Sequence, residues 1–151
     1  MDSKKTRLFL VVAISILLLV GSYGSRKEEE TNAPPVVAPL VQLIQPAFAD
    51  QYANKVVQFD ARYMSTMPMV MDLPSKYRSD YVRIMVSDVN NPAAFCNNLV
   101  IPKADSNVVF TLQPQALITV VAKAIPVKTT AAMTGSSQSN LLFEVQSITP
   151  K

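Results

Sequence analysis

The sequence predicts a small all-β domain, a closed sheet of five strands, preceded by one N-terminal transmembrane helix. Three observations predict it: an unbroken apolar run near the N-terminus, a proline-rich stretch after it, and five β-branched or alternating segments spread over the last hundred or so residues. The chain has 151 residues, enough for one ordinary domain with modest additions.

Residues 8–24 form the predicted span. Leu8 to Val20 is almost wholly apolar, and no charge occurs between Arg7 and Arg26. This is near the lower limit for crossing a bilayer, which takes about 20 residues. A cleaved secretory signal is the alternative, since Ser22-Tyr23-Gly24 places small residues at the −3 and −1 positions of a cut before Ser25. Leu19-Val20-Gly21-Ser22 has Ser where a lipobox has its acylated Cys, so lipidation is ruled out there. Lys4, Lys5 and Arg7 precede the run and only Arg26 and Lys27 follow it. The positive-inside rule therefore places residues 1–7 in the cytoplasm and everything after the span outside it. The expected address is the inner membrane, single-pass, with a periplasmic C-terminal domain, or secretion if the signal is cleaved.

Residues 25–42 read as a linker. A charge run, Arg26 to Glu30, leads into Asn32-Ala33-Pro34-Pro35 and Pro39. Proline removes backbone donors and favours extended polyproline II, so this segment is expected to be a spacer outside the core.

The domain is assigned to 43–151. Val57, Phe59, Ala61 and Tyr63 alternate with Gln58, Asp60 and Arg62, the clearest strand in the chain. Tyr81 to Val86 is the second, with Val82, Ile84 and Val86 on one face. Phe95 to Ile101 is the third, ended by Pro102. Leu117 to Ile125 is the fourth, stopped by Pro126, and Leu141 to Ile148 is the last. The longer gap from Lys103 to Ala116 is left open between a short helix and a turn. A β-sandwich would use the same alternation but normally needs about seven strands.

Three strands, a connector and two more strands is the order of an oligonucleotide/oligosaccharide-binding (OB) barrel. Lys55-Val56-Val57-Gln58-Phe59-Asp60-Ala61-Arg62-Tyr63 resembles the first strand of OB domains, which often reads V-x-F-x-G-x-Y/V. Ala116 to Ala124 resembles the fourth, commonly G-D-x-V-x-V-x-G-x. Ala61 and Ala122 stand where those domains often have Gly, and Gln115 where a Gly or Asp turn residue is usual. A membrane helix followed by a periplasmic OB barrel also resembles the haem chaperones of cytochrome c maturation. Those attach haem through a His, and this chain has no His, so that function is not carried over.

The missing His also excludes Ser-His-Asp and Cys-His catalysis and the commonest metal ligand. A single Cys, Cys96, excludes an internal disulfide and a cysteine zinc site. Asp50, Asp60, Asp72, Asp80, Asp88, Asp105 and Glu144 stand singly and read as turn and solvated positions. No cofactor is implied. Residues 50–151 carry 9 basic against 7 acidic side chains, too even a balance for a concentrated phosphate-binding stripe.

The expected function is therefore a non-enzymatic, membrane-anchored binding or assembly module acting through protein contacts in the cell envelope. Its contact surface is expected at Tyr77, Arg78, Tyr81 and Arg83, with the connection from Met67 and the Thr129-to-Asn140 loop beside it. Lys76, Arg78 and Arg83 interleaved with Tyr77 and Tyr81 keep a nucleic-acid-binding OB domain as the alternative. Behind it stands a Cu(I) carrier using Met67, Met69 and Met71, which share one face of an extended strand.

Overall fold

The computed structural model describes residues 33–68, 73–130 and 137–151. The folded unit runs from Pro34 to Lys151. The expected span at 8–24 lies outside the described residues, as do Met69 and Met71; among the described residues no helix is long and apolar enough to cross a membrane.

Six strands form one sheet: β1 (Val36–Val37), β2 (Val56–Met67), β3 (Tyr81–Asp88), β4 (Phe95–Pro102), β5 (Leu117–Thr130) and β6 (Ser137–Pro150). The pairing order is β1-β2-β3-β4-β6-β5, and β5 returns to pair with β2. Strands β2 to β6 thus close a ring, antiparallel throughout except for the β4–β6 contact. The ring has the five strands and OB-like order expected from the sequence. Three short helices accompany it: α1 (Leu40–Leu43), α2 (Ala49–Tyr52) and α3 (Asn107–Thr111). The last, with a 3-10 turn at Lys103–Asp105, fills the gap that the sequence left open.

The period-two alternation of β2 has the consequence it should. Val57, Phe59, Ala61 and Tyr63 are buried inside the ring, while Asp60 on the other face is exposed. They meet Ile84, Val86, Leu99, Ile118, Val120, Phe143 and Val145 in one core. At its centre the rings of Phe59 and Phe143 meet edge-on, with centroids 5.8 Å apart.

The linker expectation is corrected at its C-terminal part. Ala38 and Leu40 lie in the core at 6% and 0% exposure, with Leu43 beside them. The prolines do not prevent this. The Ala38 N–H donates to the Gln58 carbonyl at 3.1 Å, continuing the parallel pairing of β1, and Pro39 sits at the N-cap of α1, where no intrahelical donor is needed. Chain read as spacer thus pairs with β2 and packs into the core.

Pro126 does not stop β5 either; the strand continues to Thr130 and pairs with β6 throughout. The Ala124 N–H donates to Lys55 on the β2 side. Two residues on, the nitrogen of Pro126 faces the same side, beyond the start of β2, so its missing N–H removes no ladder bond. The expected Thr129-to-Asn140 loop is accordingly strand at both ends, and only 131–136 lie outside the described residues.

The bend before β5 is made without glycine. Gln115 has φ 71°, and its N–H donates to the Tyr63 carbonyl at 2.7 Å. The position at which OB domains resembling this chain favour Gly or Asp is indeed a left-handed one. Asn54, at φ 63°, makes the corresponding turn into β2.

Candidate functional site

The four residues expected to form a contact surface are not all at the surface. Tyr77 is fully buried and Arg83 is 3% exposed. Tyr81 is half-buried, and Arg78 is exposed. A docking surface made of all four is therefore corrected to one that has lost Tyr77 and Arg83.

The reason lies in the connection between β2 and β3. Leu73 and Tyr77 fold back over the outside of the ring and pack on Val100 of β4 and Leu142 of β6, with Tyr81, Ile125 and Val127 around them. A second, smaller core thus lies on the outer face. Arg83, Val100 and Glu144 stand in adjacent register on β3, β4 and β6, and so share that face. The Arg83 Nε donates to the Asn97 carbonyl at 2.6 Å, and the Arg78 guanidinium donates to the Leu73 carbonyl at 3.2 Å.

Glu144, read from sequence as a solvated face, organises this cover. It accepts the Tyr77 hydroxyl at 2.9 Å and the Tyr81 hydroxyl at 3.2 Å. The two tyrosine rings meet edge-on with centroids 4.9 Å apart, and the Lys76 ammonium lies 4.4 Å from the Tyr77 ring centre and 4.0 Å from Glu144. Burial and the adjacent carboxylate raise the pKa of both phenols. Sequence reasoning brought Tyr77 and Tyr81 together but missed the acceptor that holds them.

Two other carboxylates have structural partners. Asp88 accepts the N–H groups of Asn90 and Asn91 at 2.9 and 3.0 Å, closing the turn after β3. Asp60 pairs with Lys151 at 2.6 Å and accepts the Thr119 hydroxyl at 2.7 Å, which lowers its pKa. Cys96 is buried, and desolvation pushes its thiol up to about 11, far from a reactive thiolate. Met64 is half-buried and takes contacts from Ser87 and Gln115. Among the described residues no three His, Cys, Asp or Glu side chains converge as a metal site.

On the outer face a row of paired residues crosses four strands, exposed at its two ends and closed in the middle at Ser87, which is 1% exposed. Leu117 pairs with Arg62, Arg62 with Ser87, and Ser87 with Phe95. Residues paired in this way project to one side of the sheet, here the outside, since Ala61, Tyr63, Val86, Cys96 and Ile118 next to them are buried. Leu117 is 37% and Phe95 58% exposed, and Arg62 between them donates through Nε to the Val89 carbonyl at 3.4 Å. Nothing in the local sequence pattern marks these three as contacts.

No protein-family model and no curated protein matches this chain. Among solved structures, it is similar to a protein assigned as an aspartyl-tRNA synthetase of Leishmania major Friedlin, at 15% identity and a TM-score of 0.49, over 88% of this chain and 25% of that one. It is also similar to the mitochondrial single-stranded DNA binding protein Rim1 of S. cerevisiae, at 14% identity and a TM-score of 0.45, over 63% of this chain and 90% of that one. At these values neither neighbour bears on what this chain binds, and the OB-like description stands on the strand pairings themselves.

Proposed function

We propose that the chain is a binding and assembly module that performs no chemistry and acts by docking a protein partner on the exposed Phe95 and Leu117 and on Arg62 between them. In this reading residues 8–24 hold it at the inner membrane, with the folded unit on the periplasmic side. The observation that carries the reading is the exposure of Phe95 and Leu117 at the two ends of one row with an arginine between them. Aromatic residues and Arg are the types enriched in protein interfaces. The face beside this row is covered by the chain's own Leu73–Tyr77 segment.

A nucleic-acid reading rests on the same pair, because an exposed ring beside a guanidinium can stack a base and meet a phosphate. Against it, the adjacent face is centred on the Glu144 carboxylate, and basic and acidic side chains over 50–151 nearly balance.

The test places a photo-crosslinking amino acid at Leu117 in the full-length protein in cells, alongside a C-terminal topology reporter. The protein reading expects a discrete adduct that disappears with Arg62→Glu, and an extracytoplasmic reporter signal. Absence of any protein adduct, together with oligonucleotide binding that falls steeply with salt, establishes the nucleic-acid reading instead. A cytoplasmic reporter signal overturns the address.

A further inference from the structure

The ring is only partly zipped between β4 and β6. Their parallel pairing is confined to Leu99 with Phe143 and Val100 with Glu144. Ahead of those pairs the strands part, leaving an opening of about 130 Å³ between Phe95–Asn98 and Asn140–Leu141. Its exposed lining is mostly polar, and no charged side chain contributes to it.

The β4 bank of this opening presents main-chain groups. The Asp88 N–H donates to the Ala94 carbonyl at 2.8 Å, and Val86 pairs with Cys96. Main-chain groups of successive residues point to alternate sides of a strand. Ala94 and Cys96 therefore direct theirs to β3, and Phe95 and Asn97 turn theirs toward the opening. The Asn97 carbonyl is taken by the Arg83 guanidinium at 2.6 Å. What is left is the N–H and C=O of Phe95 and the N–H of Asn97, with no β6 residue paired opposite them. The run ends at a bulge, where Asn97 and Asn98 together oppose Met85. Residues 95–98 include neither a proline nor a charge, the usual devices that keep a bare edge from pairing. Phe95, 58% exposed, stands at the start of this edge.

This edge selects an occupant. Main-chain donors and an acceptor set at strand spacing are matched by another extended main chain. A helix uses its own N–H and C=O groups internally and has none to give. A charged group would be desolvated here with no counter-charge. We infer that the docked partner contributes a short, extended, uncharged peptide segment that adds to β4 along Phe95–Asn97, with an apolar side chain laid on the Phe95 ring. This rests on the docking reading and names the partner's chemistry: the segment takes the edge of β4, and Leu117 and Arg62 hold the rest of the partner.

The full-length protein in detergent is panned against phage-displayed random heptapeptides, and the selected sequences are synthesised. The expected peptides are uncharged and rich in β-branched residues. On binding they are expected to slow hydrogen exchange at the Phe95 and Asn97 amides about tenfold or more. Methylating alternate peptide nitrogens is expected to abolish binding in one phase and spare it in the other, because only one edge of the added strand faces β4. Phe95→Ala removes the ring and keeps the main-chain donor, whereas Phe95→Pro removes both and costs no bond to β3. Phe95→Pro is therefore expected to bind about tenfold more weakly than Phe95→Ala. The inference is overturned if no peptide is selected, if the selected peptides leave those two amides exchanging as in the free protein, or if both methylation phases bind alike. Equal binding by two variants of matched melting temperature overturns it as well. In any of these failures a Leu117 adduct that still forms leaves the docking reading standing, and a missing adduct beside intact peptide binding sinks the docking reading alone.

Discussion

The Tyr77 hydroxyl donates to Glu144 at 2.9 Å, joining two residues 67 positions apart. Through this bond the connection between β2 and β3 becomes a fixed cover over the outside of the ring. Removing the hydroxyl alone, Tyr77→Phe, is expected to cost about 1–2 kcal/mol, because the acceptor is a carboxylate. Removing the buried ring, Tyr77→Ala, is expected to cost about 3–5 kcal/mol. Urea denaturation of both variants checks the order; equal losses would show that the ring contributes nothing beyond its hydroxyl.

Both phenols of the cover have pKa values raised in the folded state. A raised pKa means that the fold favours the neutral form. The associated stability is fully present below the unfolded tyrosine value of about 10 and is lost as pH rises through the folded values. Stability is therefore expected to be flat with respect to this pair at neutral pH and to decline in the alkaline range. In Tyr77→Phe/Tyr81→Phe that alkaline decline should be visibly shallower, as read by melting temperature against pH.

Asp60 behaves in the opposite sense. Its pKa is lowered, first by the hydrogen bond from Lys151 and then by that from Thr119, so its contribution is present above the unfolded carboxylate value and lost as pH falls below about 4. Both partners of the ion pair are about half exposed, with side-chain exposures of 47% and 49%. Solvent screening holds its worth to about 1 kcal/mol or less. Asp60→Asn should show a loss of that size that shrinks in high salt; a larger, salt-insensitive loss would point to Thr119 as the main partner.

Gln115 holds φ 71° with a side chain that glycine lacks. Gln115→Gly is expected to stabilise the domain by up to about 1 kcal/mol, and Gln115→Val to destabilise it by more than that. Should glycine prove destabilising, the contact from the Gln115 amide to the Met64 sulfur, at 3.1 Å, outweighs the backbone strain.

Cys96 should be inert in the native protein. With the thiol buried and its pKa pushed up to about 11, a disulfide reagent at pH 8 is expected to react only after denaturant is added. Rapid labelling without denaturant would mean that β4 opens locally and admits the reagent to the thiol.

The sequence made the inside of the ring legible and left much of its outside hidden, and particular residues show why. Val57, Phe59, Ala61 and Tyr63 follow strict alternation, and all four are buried. The same rule misreads Phe95. Simple alternation puts it on one face with Leu99 and Ile101, which are buried; the bulge at Asn97–Asn98 shifts the phase and leaves Phe95 exposed. Tyr77 lies in a connection with no periodicity, so nothing local marks it as core. Its burial depends on Leu142 and Glu144, which arrive only with the last strand. Pro39 and Pro126 read as interruptions because the cost of a proline depends on which side of its backbone lacks a partner, and local sequence does not show that side.

Pro126 has a bearing on neighbouring molecules as well. Beyond Ala124, β5 keeps β6 on one side but has left β2 behind on the other, and a bare strand border of this kind is where separate chains stitch together. A visiting strand would meet a nitrogen with no hydrogen to offer, followed two residues later by the exposed Lys128. The proline that seemed to end the strand instead makes its naked margin unwelcoming, which guards a crowded population of these molecules against sticking edge to edge.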